Sequence, residues 1–284
     1  MRFEASFWRE LEELRLLARR LYAPSRMKRL KRIGSGLELA DRRPYTAGDE
    51  IRYLDWKYFA RSGKLNLRLF EEERELLYLL LLDSSASMHS KFTSACQIAL
   101  ALCDLALNAG DRIILAFASD GEARVLSELK GAASTRVLVQ PLENAKAAGT
   151  TSLLRSLGSV LEDLKSIQAL IVVSDFFDPQ YRAALSFAQS RSLPQILVAV
   201  HSQEDRVFTE ELSDFRLVDS ETGERVELSI DDRVRKTYEE EYRDFCTELC
   251  ETARETSAEV VITIAEQPFR VPVEKLLSLG YFLP

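Results

Sequence analysis

The sequence predicts an α/β protein: a doubly wound, mostly parallel sheet preceded by an N-terminal helix and a β-rich adaptor. Three observations carry this prediction. Short apolar runs recur at 76–82, 112–118, 169–173, 195–200 and 259–264. Amphipathic helical segments lie between them, and buried runs alternating with covering helices are the signature of a parallel sheet dressed on both faces. Ahead of residue 76 the texture differs, with one helical segment and then short extended pieces cut by Pro44, Gly48 and Gly63.

The elements follow in chain order. Residues 6–22 place Phe7, Leu11, Leu14, Leu17, Ala18 and Leu21 at helical spacing, and Pro24 stops the helix. Residues 37–70 hold the short extended pieces of the adaptor. The run 76–82 is Leu-rich and follows Glu71-Glu72-Glu73-Arg74-Glu75, so periodicity alone also allows a buried helix. Its shortness and its exit into Asp83-Ser84-Ser85-Ala86-Ser87 make it a strand. One following helix carries Phe92, Ala95, Cys96, Ala99, Leu102, Cys103 and Ala106. Another carries Leu153, Leu154, Leu157, Val160, Leu161 and Leu164, and a third runs from about Val234 to Thr256. Between 208 and 229, two extended pieces around Glu221-Thr222-Gly223 read as a hairpin inserted in the main domain. The predicted division is 1–75, helix plus adaptor, and 76–284, the main domain.

Composition bounds the function. A chain of 284 residues that is 46% hydrophobic fills one main core and a smaller attached segment. With 29% charged residues and a net charge of −7, it is neither disordered nor fibrous. The apolar run Leu76–Leu82 is too short to span a bilayer, and Met1-Arg2-Phe3-Glu4 lacks the apolar core of a signal peptide. A soluble, cytoplasmic protein is expected. The four cysteines pair at helical spacing as Cys96/Cys103 and Cys246/Cys250, and the histidines are His89 and His201. This argues against a zinc site, a disulfide framework and a Cys/His nucleophile. Cys96 and Cys103 should be buried and reduced.

Charge is unevenly placed. Residues 1–75 hold 18 basic against 13 acidic residues, and the remainder 20 against 32. The stretch from Arg19 to Arg32 has seven cations (Arg19, Arg20, Arg26, Lys28, Arg29, Lys31, Arg32) and no acid. A solvated helix end accounts for it. A nucleic-acid or acidic-partner patch is the competing reading, disfavoured because Tyr22 is the only aromatic residue there.

The pentapeptide after the first apolar run is the most informative feature. Asp83, Ser85 and Ser87 place oxygen donors at alternate positions. On a straight strand Asp83 and Ser87 would stand ~13 Å apart, while magnesium–oxygen bonds are about 2.1 Å. They can share a cation only where the chain curls as it leaves the sheet. Otherwise Asp83 caps loop amides and Ser87 caps the next helix. Ala148-Gly149-Thr150-Thr151-Ser152 precedes a helix, and Ser174-Asp175 ends the strand 169–173. Ligands of doubly wound sheets gather at the carboxyl ends of strands, at the topological switch point. Two carboxylates with neutral hydroxyls suit Mg²⁺, Mn²⁺ or Ca²⁺.

These residues resemble the metal ion-dependent adhesion site of von Willebrand factor A-like domains, over roughly 76–265. The resemblance implies that Asp83, Ser85, Ser87 and a threonine hold the metal, with Asp175 acting through water. Thr151 matches the threonine by its distance to Leu157, with Thr150 as the alternative. Upstream, Arg42-Arg43-Pro44-Tyr45-Thr46-Ala47-Gly48-Asp49-Glu50-Ile51-Arg52-Tyr53-Leu54-Asp55-Trp56-Lys57 resembles the hallmark of the bacterial domain of unknown function 58 family. So do Ala60-Arg61-Ser62-Gly63-Lys64-Leu65, Phe70-Glu71-Glu72-Glu73-Arg74-Glu75-Leu76 and Leu217-Val218-Asp219-Ser220-Glu221-Thr222-Gly223. That resemblance implies association with MoxR-type AAA+ ATPases and metal-dependent protein contacts.

The hallmark segment also has a physical reading. Asp49 and Asp55 sit among Arg42, Arg43, Arg52 and Lys57, around Tyr45, Tyr53, Trp56 and Tyr58. Ion pairs and amphipathic rings that fasten the adaptor are the favoured account. Arginines that receive a partner carboxylate are the other. Glu71, Glu72 and Glu73 read as a solvated face or as partners of that basic segment.

Catalytic motifs are weak. Gly34-Ser35-Gly36 lacks the third glycine of a dinucleotide fingerprint, and Ser62-Gly63-Lys64 lacks the frame of a phosphate-binding loop. There is no nucleophile elbow. Ser85 stands where aspartate-based phosphatases carry their second carboxylate, which removes the usual acid/base. His89 reads as an exposed loop residue and His201 as a strand end. The expectation is a non-enzymatic, metal-dependent protein-binding module that recognises a partner Asp or Glu. The runner-up is a metal-assisted hydrolase in which Asp175 or Asp178 activates water.

Overall fold

The computed structural model describes residues 2–21, 31–32, 39–46, 49–71, 75–207, 214–218, 225–229 and 232–283. Two compact units emerge, one of Met1–Tyr22 with Leu76–Pro284 and one of Ala23–Glu75.

Helix α1 (Ala5–Leu21) comes first. The smaller unit holds β1 (Lys31–Arg32), β2 (Leu39–Pro44), α2 (Trp56–Ser62) and β3 (Asn66–Glu71), with its strands antiparallel in the order β1-β3-β2. The larger unit resumes with β4 (Leu77–Asp83), α3 (Phe92–Asn108), β5 (Arg112–Ser119), β6 (Glu122–Val125), β7 (Leu129–Lys130), α4 (Thr135–Asn144) and α5 (Leu153–Asp163). It continues through β8 (Ala169–Ser174), α6 (Tyr181–Ser190), β9 (Gln195–His201), α7 (Gln203–Arg206), β10 (Asp214–Val218), β11 (Arg225–Ser229), α8 (Asp232–Glu255), β12 (Ala258–Ile264) and α9 (Arg270–Ser278).

The main sheet runs β12-β9-β8-β4-β5-β6, with β7 also on β5. Its pairs are parallel except where β6 and β7 meet β5. The chain starts at the central strand β4, moves outward through β5 and β6, then crosses back to β8, β9 and β12. This reversal is the doubly wound topology. The five apolar runs are the five parallel strands. The hairpin expected within 208–229 is the antiparallel pair β10–β11.

All seven residues of β4 are buried. Tyr78, Leu80 and Leu82 pack with α1, α3 and α9, while Leu77, Leu79 and Leu81 pack with α5, α6 and the end of α8. A strand covered on both faces has no polar alternation, so leucines fill it despite their helical preference. Each such leucine contributes about 1.5–3 kcal/mol by burial, enough to override propensity.

Residues 1–75 do not form one unit, contrary to the expected division. Phe7, Leu11, Leu14 and Ala18 of α1 are buried in the main core. Arg15 donates through Nε and Nη2 to Asp104 at 2.7 and 2.6 Å, and Thr135 Oγ1 donates to Asp104 Oδ1 at 2.7 Å. Asp104 is fully buried in α3, so its charge requires this cation. Helix α1 therefore belongs with the larger unit.

In the smaller unit the hallmark acids serve local turns. Asp55 Oδ1 accepts from Tyr58 N at 3.0 Å and caps α2, and Asp49 Oδ2 accepts from Thr46 N at 2.8 Å. Arg52 pairs with Glu50 and lies 4.8 Å over the Tyr53 ring. Trp56 and Phe59 are exposed, edge to face at 6.3 Å. The side chains of Arg42, Arg43 and Glu71–Glu73, Gly34-Ser35-Gly36, and all of the basic stretch except Arg19, Arg20 and the backbone of Lys31 and Arg32, lie outside the described residues.

Candidate functional site

The sheet topology brings the predicted residues to one edge. Asp83 ends β4 and Ser174 ends β8, and these strands are parallel neighbours with Leu82 opposite Val173. The chain reverses direction between these two strands, so their carboxyl ends border the crevice of the switch point.

After Asp83 the chain curls rather than continuing straight. Asp83 Oδ1 accepts from Ser85 N at 3.0 Å, and a 3-10 turn, Ala86–Met88, follows. The curl brings Ser85 Oγ and Ser87 Oγ to 3.0 Å from each other. Ser87 does not cap α3, whose first turn carries no side-chain cap.

The 146–152 loop is laced to this turn. Ala148 N donates to Ser84 O at 2.8 Å, Ala86 N to Gly149 O at 2.9 Å and Asp120 N to Thr150 O at 2.8 Å. Gly149 has φ +83°, and a Cβ there would lie 2.5 Å from both Asp120 carboxylate oxygens. The close approach and the left-handed backbone both require glycine. Asp120 Oδ1 accepts from Thr150 N at 2.8 Å and Thr150 Oγ1 at 3.3 Å. Hydrogen bonding from Thr150 holds the Asp120 carboxyl below its ordinary range. Thr150 is thus turned to Asp120, and Thr151, half-buried, is the next residue.

Asp83 is fully buried. Its Oδ2 accepts from Ser174 Oγ at 2.6 Å, and that hydroxyl accepts from Phe176 N at 3.0 Å. Burial and the nearby charge of Asp175 push the Asp83 carboxyl up to about 6, against the pull of its hydrogen bonds. Asp175 has a different environment. Its Oδ2 lies 2.7 Å from Lys91 Nζ, which also reaches Asp205 Oδ2 at 3.1 Å, and its Oδ1 accepts from Phe177 N at 3.1 Å. Lys91 is only 2% exposed. Asp205 is fixed by a capping box with Ser202 at the start of α7.

The loop after Asp175 is under strain. Phe176 is fully buried at φ 60°, a conformation that costs a non-glycine residue about 1–3 kcal/mol. Phe177 stacks on His201 at 5.2 Å and lies 5.0 Å from Lys91 Nζ. His201, the last residue of β9, is fully buried between Asp175 O at 3.0 Å and the Tyr242 hydroxyl at 2.8 Å. Burial lowers its pKa, so its ring is neutral near pH 7. Asp178 accepts from Leu153 N at 2.7 Å and Gln180 N at 2.8 Å, tying the first turn of α5 to the 175–180 loop. His89 is exposed.

The residues fit a hard divalent cation in part. Neighbouring ligand oxygens on an octahedral cation with bonds of about 2.1 Å stand about 3.0 Å apart, matching the Ser85–Ser87 hydroxyl separation. Among the described residues, no cation is a hydrogen-bond partner of the buried Asp83 carboxylate. Among the described residues no three of His, Cys, Asp and Glu converge as a metal cluster. A cation here would rest mainly on hydroxyls. Sequence reasoning did not single out Lys91, Asp205 or Asp120. Ser202-x-x-Asp205 is a legible capping signal. A lysine opening an otherwise apolar helix, where the dipole disfavours a cation, was legible too.

The chain belongs to the family described as Protein of unknown function DUF58, whose match covers residues 41–247. Uncharacterised proteins of Mycobacterium bovis and Mycobacterium tuberculosis are 27% identical over 226 residues, covering 72% of this chain and 67% of theirs. Among solved structures, the conserved hypothetical protein BatB from Bacteroides thetaiotaomicron aligns with a TM-score of 0.49 at 13% identity, over 73% of this chain and 98% of that one. The SpRpn10 VWA domain aligns with a TM-score of 0.43 at 11% identity, over 71% and 95%. No described helix is long and apolar enough to cross a membrane.

Proposed function

We propose that this chain is a protein-interaction module that meets an acidic residue of its partner through a divalent cation. Asp83, Ser85, Ser87 and Thr151 would hold the cation, with Asp175 beside them. Mg²⁺ is the favoured ion, and Mn²⁺ or Ca²⁺ suits the same donors. The observation that carries this reading is the pair of serine hydroxyls 3.0 Å apart next to a buried carboxylate with no cationic partner among the described residues. Neutral hydroxyls do not cancel a cation's charge, so it stays electrophilic toward a carboxylate from outside.

The surroundings agree with an acidic partner. An open cleft of about 520 Å³ is lined by Ser84, Arg124 and Lys146, with Glu122 the one acid among its described lining residues. Such a surface favours acidic approach. From the family resemblance, a MoxR-type AAA+ ATPase is the proposed partner, and the cytoplasm the proposed setting. The sequence has no nucleotide-binding motif, so ATP would be handled by that partner.

A hydrolytic reading has less support. Both oxygens of Asp178 accept backbone amides, and Asp175 is ion-paired with Lys91. Neither is available as the base such chemistry needs. The test is co-purification with the candidate ATPase at fixed salt. Recovery should be lost in EDTA and in Asp83→Ala, and should fall less in high salt, because a metal–carboxylate contact is screened less than surface ion pairs. Equal recovery with and without EDTA would reject metal-mediated contact.

A further inference from the structure

We propose that Lys91 is a tethered cation that withholds Asp175 from the metal and leaves Asp83 to bind it. The proposal rests on the metal-dependent reading above and specifies how that site sets its affinity.

The geometry is asymmetric. Asp83 ends β4 and Asp175 directly follows the neighbouring β8, yet among the described residues only Asp175 of the two has an ammonium against it, at 2.7 Å. Both oxygens of each carboxylate accept hydrogen bonds, Asp175 Oδ1 from Phe177 N at 3.1 Å, so the ammonium is what sets the two apart. Lys91 is anchored by more than one contact. Asp205 Oδ2 lies 3.1 Å from its Nζ, and the Phe177 ring covers it at 5.0 Å. Lys91 and the serines share one short turn, since Met88 N donates to Ser85 O at 3.2 Å and Lys91 N to Met88 O at 2.9 Å. An ammonium there is fixed relative to Ser85 and Ser87.

The chemistry follows. An ammonium beside a divalent cation repels it, and a carboxylate already paired binds it less well. With Lys91 in place, the cation is offered one buried carboxylate and neutral hydroxyls. That makes a weak site that retains charge for an incoming carboxylate. Removing the ammonium would free Asp175, and two carboxylates would then face the cation. Affinity in oxygen sites is set largely by ligand charge count.

The test is calorimetric titration of Mn²⁺ into the full chain, with melting followed by circular dichroism. Lys91→Met should bind Mn²⁺ roughly tenfold tighter or better, and Lys91→Met/Asp175→Asn should return close to wild type. Asp175→Asn leaves Lys91 paired with Asp205, so it should fold and keep a saturable Mn²⁺ site, weakened severalfold by the less compensated ammonium, whereas Asp83→Ala should have none. That arm keeps the test decisive if Lys91→Met fails to fold. Loss of Mn²⁺ binding in folded Asp175→Asn, or unchanged affinity in folded Lys91→Met, would overturn the proposal. In the latter case an Asp83-dependent wild-type site leaves the metal-dependent reading standing. Binding by Lys91→Met but not by wild type would uphold the proposal and end that reading. No binding by either would overturn both.

Discussion

Lys91 Nζ lies 2.7 Å from Asp175 Oδ2, and both side chains are buried, at 2% and 1% exposure. A lysine so buried is tolerated because two carboxylates share its charge. Removing one member of a buried pair leaves the other uncompensated, which costs about 3–5 kcal/mol. Lys91→Met should fall in that range in metal-free protein. Asp175→Asn should cost less, because Asp205 still meets the ammonium, and the double variant should recover part of the loss. Urea denaturation of the four proteins measures the coupling. A Lys91→Met cost below about 1 kcal/mol would show that the pair is solvated.

The Asp83 carboxyl predicts a pH dependence for the metal-free protein. Its native value is about 6, against ~3.9 in an unfolded chain. Between these values the native state holds a proton that the unfolded state has lost. Stability should therefore fall as pH rises from about 4 to 6 and stay low at pH 7, a loss of at most about 3 kcal/mol. Asp83→Asn should remove that slope and melt higher than wild type at pH 7 when divalent ions are chelated. Parallel pH profiles of the two proteins would refute this.

Gly149 should tolerate no side chain. Its φ of +83° and the 2.5 Å approach to Asp120 mean that Gly149→Ala must strain the backbone and displace Asp120. The expected loss is about 1–3 kcal/mol, with weaker metal binding because the Thr151 loop shifts. Denaturation and metal titration of the variant check both effects. Wild-type values in both would contradict the description of this loop.

The cysteines should react in two classes. Burial pushes the Cys96 thiol up to about 12 and raises Cys103 as well, while Cys246 and Cys250 are half-buried. A thiol reagent should modify the α8 pair first, and the α3 pair only on unfolding. Fast labelling of all four in native protein would contradict the burial of α3.

Much of the fold was legible because apolar runs and turn residues are local signals. The strands β4, β5, β8, β9 and β12 and the hairpin β10–β11 all came from such patterns. The placement of α1 was not legible, because the partner that holds Arg15 is Asp104, 89 positions away. The site was legible as a set of donors, since Asp83, Ser85 and Ser87 lie on one short turn. Its electrostatics were not. Lys91 stands out in the sequence only as a cation at a helix start, and its partners are set by β8 and α7, which bring Asp175 and Asp205 to it.

The central claim is that Asp83, Ser85 and Ser87 form a divalent-cation site. Titration of Mg²⁺ into wild type and into Asp83→Ala, with folding of both verified by circular dichroism, tests it most directly. One saturable site is expected in wild type and none in the variant. Identical isotherms for the two proteins would contradict it.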